Sequence, residues 1–455
     1  MTAVRLVGVR QGLLERFRHP AQVIVGGFAV AVLAGTGLLA LPAASESGQS
    51  AGVLTALFTA TSAVCVTGLV VVDTGTQWSL FGELVIVGLI QAGGLGIMTL
   101  ATLFALLVSG RLGLRARLLV QAETKTLQGV GVRRVIRNIV IFSLGCEAVL
   151  AVALALRFAL AYGEPVGRAA YLGVFHAVSA FNNAGFGLWP DSLVRFAADP
   201  WVCLPIALAV IIGGLGFPVI FELVRSWRRP RAWSVLTRVT VGTTVVLLAA
   251  GTLVLTAAEW DNPGTLGPLS GPAKVLAGFF TAVMPRTAGF NSIDIVAMRS
   301  ESWLATDILM FIGGGSAGTA GGIKVTTFGL LAFVMWAELR GEDRVNIGHR
   351  RLPGPVQRQA LTIALLGVGL VAVSTFALLA MVPHTLDKVL FEVISAFATV
   401  GLSTGITADL PPAARLLLVA LMFIGRVGPV TVFSALALRE RTRRYELPEE
   451  RPIVG

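Results

Sequence analysis

The chain has 455 residues, of which 55% are hydrophobic and only 13% charged, with a mean hydropathy of +0.81. Soluble domains carry roughly 25% charged residues, so a surface solvated mainly by water is excluded and lipid is the solvent that remains. The net charge of +11 calls for no nucleic-acid partner, because most of the 36 Lys and Arg fall in five clusters, at residues 5–18, 111–137, 225–238, 340–358 and 439–451.

In chain order, residues 1–20 read as a basic cytoplasmic lead with no convincing signal-cleavage site, since Ala40-Leu41-Pro42-Ala43-Ala44 looks like a helix exit. Apolar runs at residues 21–41, 84–108, 235–257 and 361–382 approach or exceed the roughly 20 residues that a spanning helix needs. The basic clusters alternate with segments of mixed or acidic charge such as Glu259-Trp260-Asp261. This is the positive-inside pattern, which places every cluster and both termini on the cytoplasmic side of a multi-pass protein of the cell (inner or plasma) membrane. Cys65, Cys146 and Cys203 show no metal-ligand spacing and, being odd in number, suggest no disulfide framework. No phosphate-loop or metallohydrolase motif occurs, so the chain reads as a non-enzyme.

Each interval between clusters holds a long apolar helix, a shorter semi-polar stretch and a second long helix. The boundaries are 21–110 for repeat A, 111–230 for B, 231–345 for C and 346–438 for D, with a cytoplasmic tail at 439–455. The short stretches resemble one another: Phe58-TATSAVCVT-Gly68, Phe175-HAVSAFNNA-Gly185, Phe279-FTAVMPRTA-Gly289 and Phe391-EVISAFATV-Gly401. Leu or Phe follows each glycine, and an acid comes five to eight positions later, at Asp73, Asp191, Asp294 and Asp409. These acids either attract cations or cap loops. Further on, each second helix carries glycines: Gly93-Gly94-Leu95-Gly96, Gly213-Gly214-Leu215-Gly216, Gly313-Gly314-Gly315-Ser316 and Gly425-Arg426-Val427-Gly428. Small residues there also serve close helix packing.

A stretch of about 15 residues cannot cross the bilayer, so each should enter and leave on the outer side. Glycine after it suits backbone angles closed to other residues, and irregular backbone at membrane depth is tolerated where protein buries it or water fills the neighbouring cavity. The expected fold is therefore an all-α membrane protein of four tandem M1–pore loop–M2 repeats. Eight transmembrane helices and four re-entrant half-helices would stand in pseudo-fourfold order about a central ion pathway. Backbone carbonyls turned inward from four such segments can replace a cation's hydration shell, with half-helix C-termini aimed at the ion; Arg286 is the only cation-repelling charge near a turn.

The second helix of repeat C departs from its siblings, with six glycines in the twelve positions 312–323. Each glycine costs a helix roughly 1 kcal/mol relative to alanine, so this helix should be broken and placed beneath the four tracts, as a gate or as a packing kink. Arg426 lies about a dozen residues from Arg439, roughly 18 Å along a helix. It is too deep to snorkel easily and so either forms an electrostatic barrier or anchors the broken segment. Lys324 either faces the cavity or reaches the cytoplasmic interface.

The four tracts, with Gln91–Gly96 and residues 313–324, resemble the Trk/Ktr/HKT superfamily of potassium transporters over nearly the whole chain. They are most similar to the KtrB branch, the membrane pore subunits of bacterial Ktr potassium uptake systems. The resemblance implies that Gly68, Gly185, Gly289 and Gly401 line a K+ selectivity filter, with Val66, Thr67, Asn183, Ala184, Thr287, Ala288, Thr399 and Val400 beside them and K+ held by backbone carbonyls. It implies an intramembrane gate made of Gly313, Gly314, Gly315, Ser316, Ala317, Gly318, Thr319, Ala320, Gly321, Gly322 and Lys324, and a pore barrier at Arg426. It further implies a homodimer, a cytosolic KtrA-like regulatory ring carrying the nucleotide (ATP or ADP), sodium as an activator, and no nucleic acid. The tail from Glu446 either reaches the dimer interface or is disordered. Glycine at all four filter positions favours potassium over a sodium-permeable member of the same superfamily. A coupled carrier would instead show inverted repeats, and a non-transporting receptor would not need four matched tracts.

Overall fold

The computed structural model describes residues 20–110, 132–342, 344–348 and 350–428 of the chain. The tail at residues 439–455, most of the lead and most of the second basic cluster lie outside the described residues, as does the tail's expected contact at a dimer interface. The described part is helical apart from one hairpin pairing Asn346–Ile347 with Arg350–Arg351.

Four groups of helices follow one another. The first holds α1 (Pro20–Leu39), α2 (Val53–Val64) and α3 (Leu80–Gly110); the second holds α4 (Val132–Tyr162), α5 (Val166–Phe181), α6 (Pro200–Leu215) and α7 (Phe217–Ser226). The third holds α8 (Val235–Glu259), α9 (Gly271–Val283), α10 (Ser300–Phe311) and α11 (Val325–Leu339); the fourth holds α12 (Gly354–Leu379), α13 (Leu386–Ala398) and α14 (Pro412–Val427). Local chemistry sets the starts. Asp199 accepts from Trp201 N at 2.9 Å with Pro200 behind it, Ser234 caps α8, and prolines open α9, α12 and α14.

Many exposed side chains on the long helices are apolar, among them Val149, Leu160, Leu253 and Phe376, as a lipid-solvated surface requires. Three described helices, Arg134–Tyr162, Val235–Glu259 and Gly354–Leu379, are long and apolar enough to cross a bilayer. Pro200–Leu215 and Phe217–Ser226 make a fourth if read through the 103° bend between them. The bend was not expected from the sequence, which put its only break in repeat C. That break is present: α10 stops at Phe311 and α11 resumes at Val325.

Within each group the short helix packs against the first long one, and each second long helix reaches the short helix of the next group. α3 meets α5, α6 meets α9, α10 meets α13, and α14 returns to α2. The packing order thus closes on itself.

Candidate functional site

The site begins with α2, α5, α9 and α13, of 12, 16, 13 and 13 residues. Each ends in a tract in which two residues turn left-handed. Val66, Asn183, Thr287 and Thr399 have φ of 55°, 59°, 69° and 53°, and Gly68, Gly185, Gly289 and Gly401 have φ of 90°, 71°, 70° and 96°. Thr67, Ala184, Ala288 and Val400, between them, keep ordinary φ. An extended strand points successive carbonyls to opposite sides, whereas alternating handedness turns them toward one side. Positive φ at β-branched Val66, Thr287 and Thr399 costs on the order of 1–3 kcal/mol each, which marks the tracts as sites where geometry outranks stability.

The four glycines form a closed ring. A Cβ added to Gly68 would strike Ala184 O and Gly185; one on Gly185, Ala288 O and Gly289; one on Gly289, Val400 O and Gly401; one on Gly401, Thr67 O and Gly68. No side chain fits there, so the identity of all four residues follows from contact as well as from φ. Among the described residues no hydrogen bond ends on the carbonyls of 66–68, 183–185, 287–289 or 399–401. Their lone pairs are free for something else.

The tracts are held from behind. Gly68 N donates to Ser62 Oγ at 3.0 Å and Gly401 N to Ser395 Oγ at 3.1 Å, while Ser179 Oγ donates to Phe186 O at 2.8 Å. Sequence reasoning passed over these serines, although a Ser-Ala pair stands six residues before the glycine in three tracts. The third has Val283 there and ties Ala288 N to Met284 O at 3.0 Å instead. Glu392, also not singled out from sequence, is buried beside the fourth tract, where it accepts from Thr404 N at 2.9 Å and Thr407 Oγ1 at 2.9 Å.

The second glycine landmark has a packing role. A Cβ at Gly93, Gly213 or Gly425 would collide with Val64 O, Phe181 O or Phe397 O. These glycines let each second helix press on the carbonyl end of its own short helix.

On one side of the ring lies an open cavity of about 320 Å³, lined by all four glycines. Asp73 and Asp294 line it too, and both also cap loops, Asp73 accepting from Thr76 N and Asp294 from Val296 N at 2.9 Å each. Asp191 is spent on Arg195 at 2.6 Å. Burial would raise its carboxyl, but the Arg195 hydrogen bonds outweigh that and hold it below the usual carboxylate range. Asp409 is exposed and does not line the cavity.

On the other side of the ring lies the loop of residues 312–324. Its neck is closed by Gly313 N donating to Ile323 O at 2.8 Å. Its body docks on the bend between α6 and α7: Gly315 N donates to Gly214 O at 2.7 Å and Thr319 N to Gly213 O at 3.1 Å. Thr319 Oγ1 donates to Asn183 Oδ1 at 2.9 Å, directly below the second tract, and Gly321 lies against Thr399, below the fourth. Ser316 and Thr326 hydroxyls pair at 2.8 Å. Ala317 takes φ of 60° and Gly322 of 62°, while Gly318 meets Gly214 O. The Lys324 Nζ turns back within the loop and donates to Ala320 O at 2.5 Å.

Arg426 is buried and donates to Thr319 O of the loop and, at 2.9 Å, to Gly93 O of α3. It thereby links the loop to α3. Arg286 does not face the ring's cavity; it lines a separate one with Thr244 and Gly214.

Comparison with known proteins gives the following. The family model described as "TrkH: Cation transport protein" matches residues 12–442. The chain is 42% identical over 427 residues to Ktr system potassium uptake protein B of Bacillus subtilis, covering 94% of this chain and 95% of the relative. It is 36% identical over 442 residues to the potassium/sodium uptake protein NtpJ of Enterococcus hirae, covering 96% and 97%. The crystal structure of the potassium transporter TrkH from Vibrio parahaemolyticus superposes with a TM-score of 0.70 at 19% identity, covering 91% of this chain and 85% of that one.

Proposed function

The chain belongs to the TrkH family of cation transport proteins, and on that premise we propose that it takes up potassium ions through the ring of Gly68, Gly185, Gly289 and Gly401. The carrying observation is that ring: four backbone tracts in mutual contact, with strained left-handed residues and carbonyls to which no described donor is bonded. Such oxygens can replace the hydration shell of a monovalent cation with no charged side chain in the path. The ion passes from the cavity with Asp73 and Asp294, through the ring, past residues 66, 183, 287 and 399, and then meets the loop of residues 312–324. In this reading the four groups of helices are four M1–pore loop–M2 repeats in pseudo-fourfold order, both termini are cytoplasmic, and the loop is the gate. Arg426 holds the gate closed through Thr319 and places a fixed positive charge beside the pathway.

The name of the B. subtilis relative, a protein of a Ktr system, supports an assembly with further components. We therefore assign control of the gate to a cytosolic nucleotide-binding partner docked on a homodimer, with sodium as activator. The E. hirae relative, a potassium/sodium uptake protein, favours a second reading in which sodium also permeates.

Flux into proteoliposomes containing the purified chain decides between them. Potassium and rubidium should enter well ahead of sodium and lithium, and Gly68→Ser should erase the difference. Equal sodium and potassium flux in the unmodified protein rejects selectivity.

A further inference from the structure

Two buried arginines flank the loop: among the described residues Arg426 leaves only Nε without a partner, whereas Arg286 leaves both Nε and Nη1. Arg426 commits Nη1 to Thr319 O and Nη2 to Gly93 O. Arg286 is 6% exposed, reaches Thr244 Oγ1 at only 3.4 Å, and has no hydrogen-bond partner on Nε or Nη1 among the described residues. The ion pairs found among those residues do not include it. Leaving guanidinium donors unpaired in an apolar interior is costly, so their retention calls for a use.

The surroundings supply one. Arg286 lines a small cavity, with room for about one water, together with Gly214 and Leu215 at the end of α6 and Gly314 of the loop. Gly213-Gly214 stand in α6 where Gly93-Gly94 stand in α3. The Gly93 carbonyl is held by an arginine, but those of Gly213 and Gly214 are held by Thr319 N and Gly315 N of the loop itself. When the loop moves away, two carbonyls at the negative end of a helix lose their donors together.

We infer that Arg286 is the latch of the displaced state: its free Nε and Nη1 take over the Gly213 and Gly214 carbonyls as the loop leaves them, as Arg426 already does for Gly93. The planar fork of arginine suits two neighbouring acceptors. The exchange swaps hydrogen-bond donors and moves no proton. Loop-in and loop-out states then each satisfy the end of α6, and the equilibrium between them depends on one side chain. This rests on the loop's being the gate.

The test is a double-mutant cycle on rubidium uptake into proteoliposomes, using the full chain and the chain lacking residues 317–321, each with and without Arg286→Gln. Uptake by the full chain should fall about tenfold with Arg286→Gln, and nearly as far with Arg286→Lys, which keeps the charge and loses the fork. In the loop-deleted chain, which has no loop-in state, Arg286→Gln should change uptake less than twofold. A thiol placed by Thr319→Cys should be modified about tenfold more slowly in the presence of Arg286→Gln, because the loop leaves less often. Equal losses in both chains would make Arg286 a folding or conduction residue and overturn the latch. So would full activity of Arg286→Gln, full activity of Arg286→Lys, or unchanged labelling. If deletion of the loop does not itself raise uptake, the gate reading fails and the latch fails with it, a result distinct from failure of the latch alone.

Discussion

Ser62 and Ser395 carry a different kind of cost from the glycines they support. Each serine Oγ accepts one hydrogen bond from the glycine N–H of its tract, and a buried N–H left without it costs about 1–3 kcal/mol. Ser395→Ala should therefore leave a folded protein with reduced discrimination between potassium and sodium, readable as a several-fold fall in the uptake ratio. Gly401→Ala should abolish uptake outright, because its Cβ would overlap Thr67 O. Retained uptake in Gly401→Ala would remove the ring from the pathway. The serines were written in the sequence as a recurring pair, but their role needed the backbone fold. Only after the chain turns back at Val66 and Thr399 does a side chain six positions away reach the glycine.

At the scale of elements, four short helices, the glycines that follow them and the break between α10 and α11 were legible because glycine spacing and helix length are local properties. The bend at Gly216 was not. A Gly-Gly-Leu-Gly run occurs in both α3 and α6, yet α3 continues as a helix while α6 turns by 103° into α7. The difference is tertiary: Gly216 has φ of 92° and faces Ser316 O of the loop, whereas a Cβ at Gly96 would meet nothing. Loop and bend specify each other. Gly216→Ala should strain this junction by about 1–3 kcal/mol and raise uptake in the absence of any partner by several-fold, while Gly96→Ala should leave it unchanged. Equal behaviour of the two variants, measured as basal rubidium uptake, would separate the bend from the gate.

Across the whole molecule, the proposed sides rest on charge. The hairpin at Asn346–Ile347 and Arg350–Arg351 and the turn at residues 227–233 fall in basic clusters, whereas Trp189 and Asp191 sit near the cavity lined by the glycine ring. Single cysteines at Arg231 or Arg351 should react with an impermeant thiol reagent only from the cytoplasmic side, and one at Pro190 only from outside. Reversal of either result inverts the assigned direction of the pathway.

The contact between α14 and α2 has a consequence for how such a molecule is made. Three of the junctions between groups join neighbours in the chain, but the fourth joins its two ends, and the Arg426–Gly93 bond spans 333 positions. During synthesis the first group must wait, with one flank uncovered, until the last emerges. The seam can thus close only late in assembly, and a chain that stops within the fourth group lacks part of the surface that seals it.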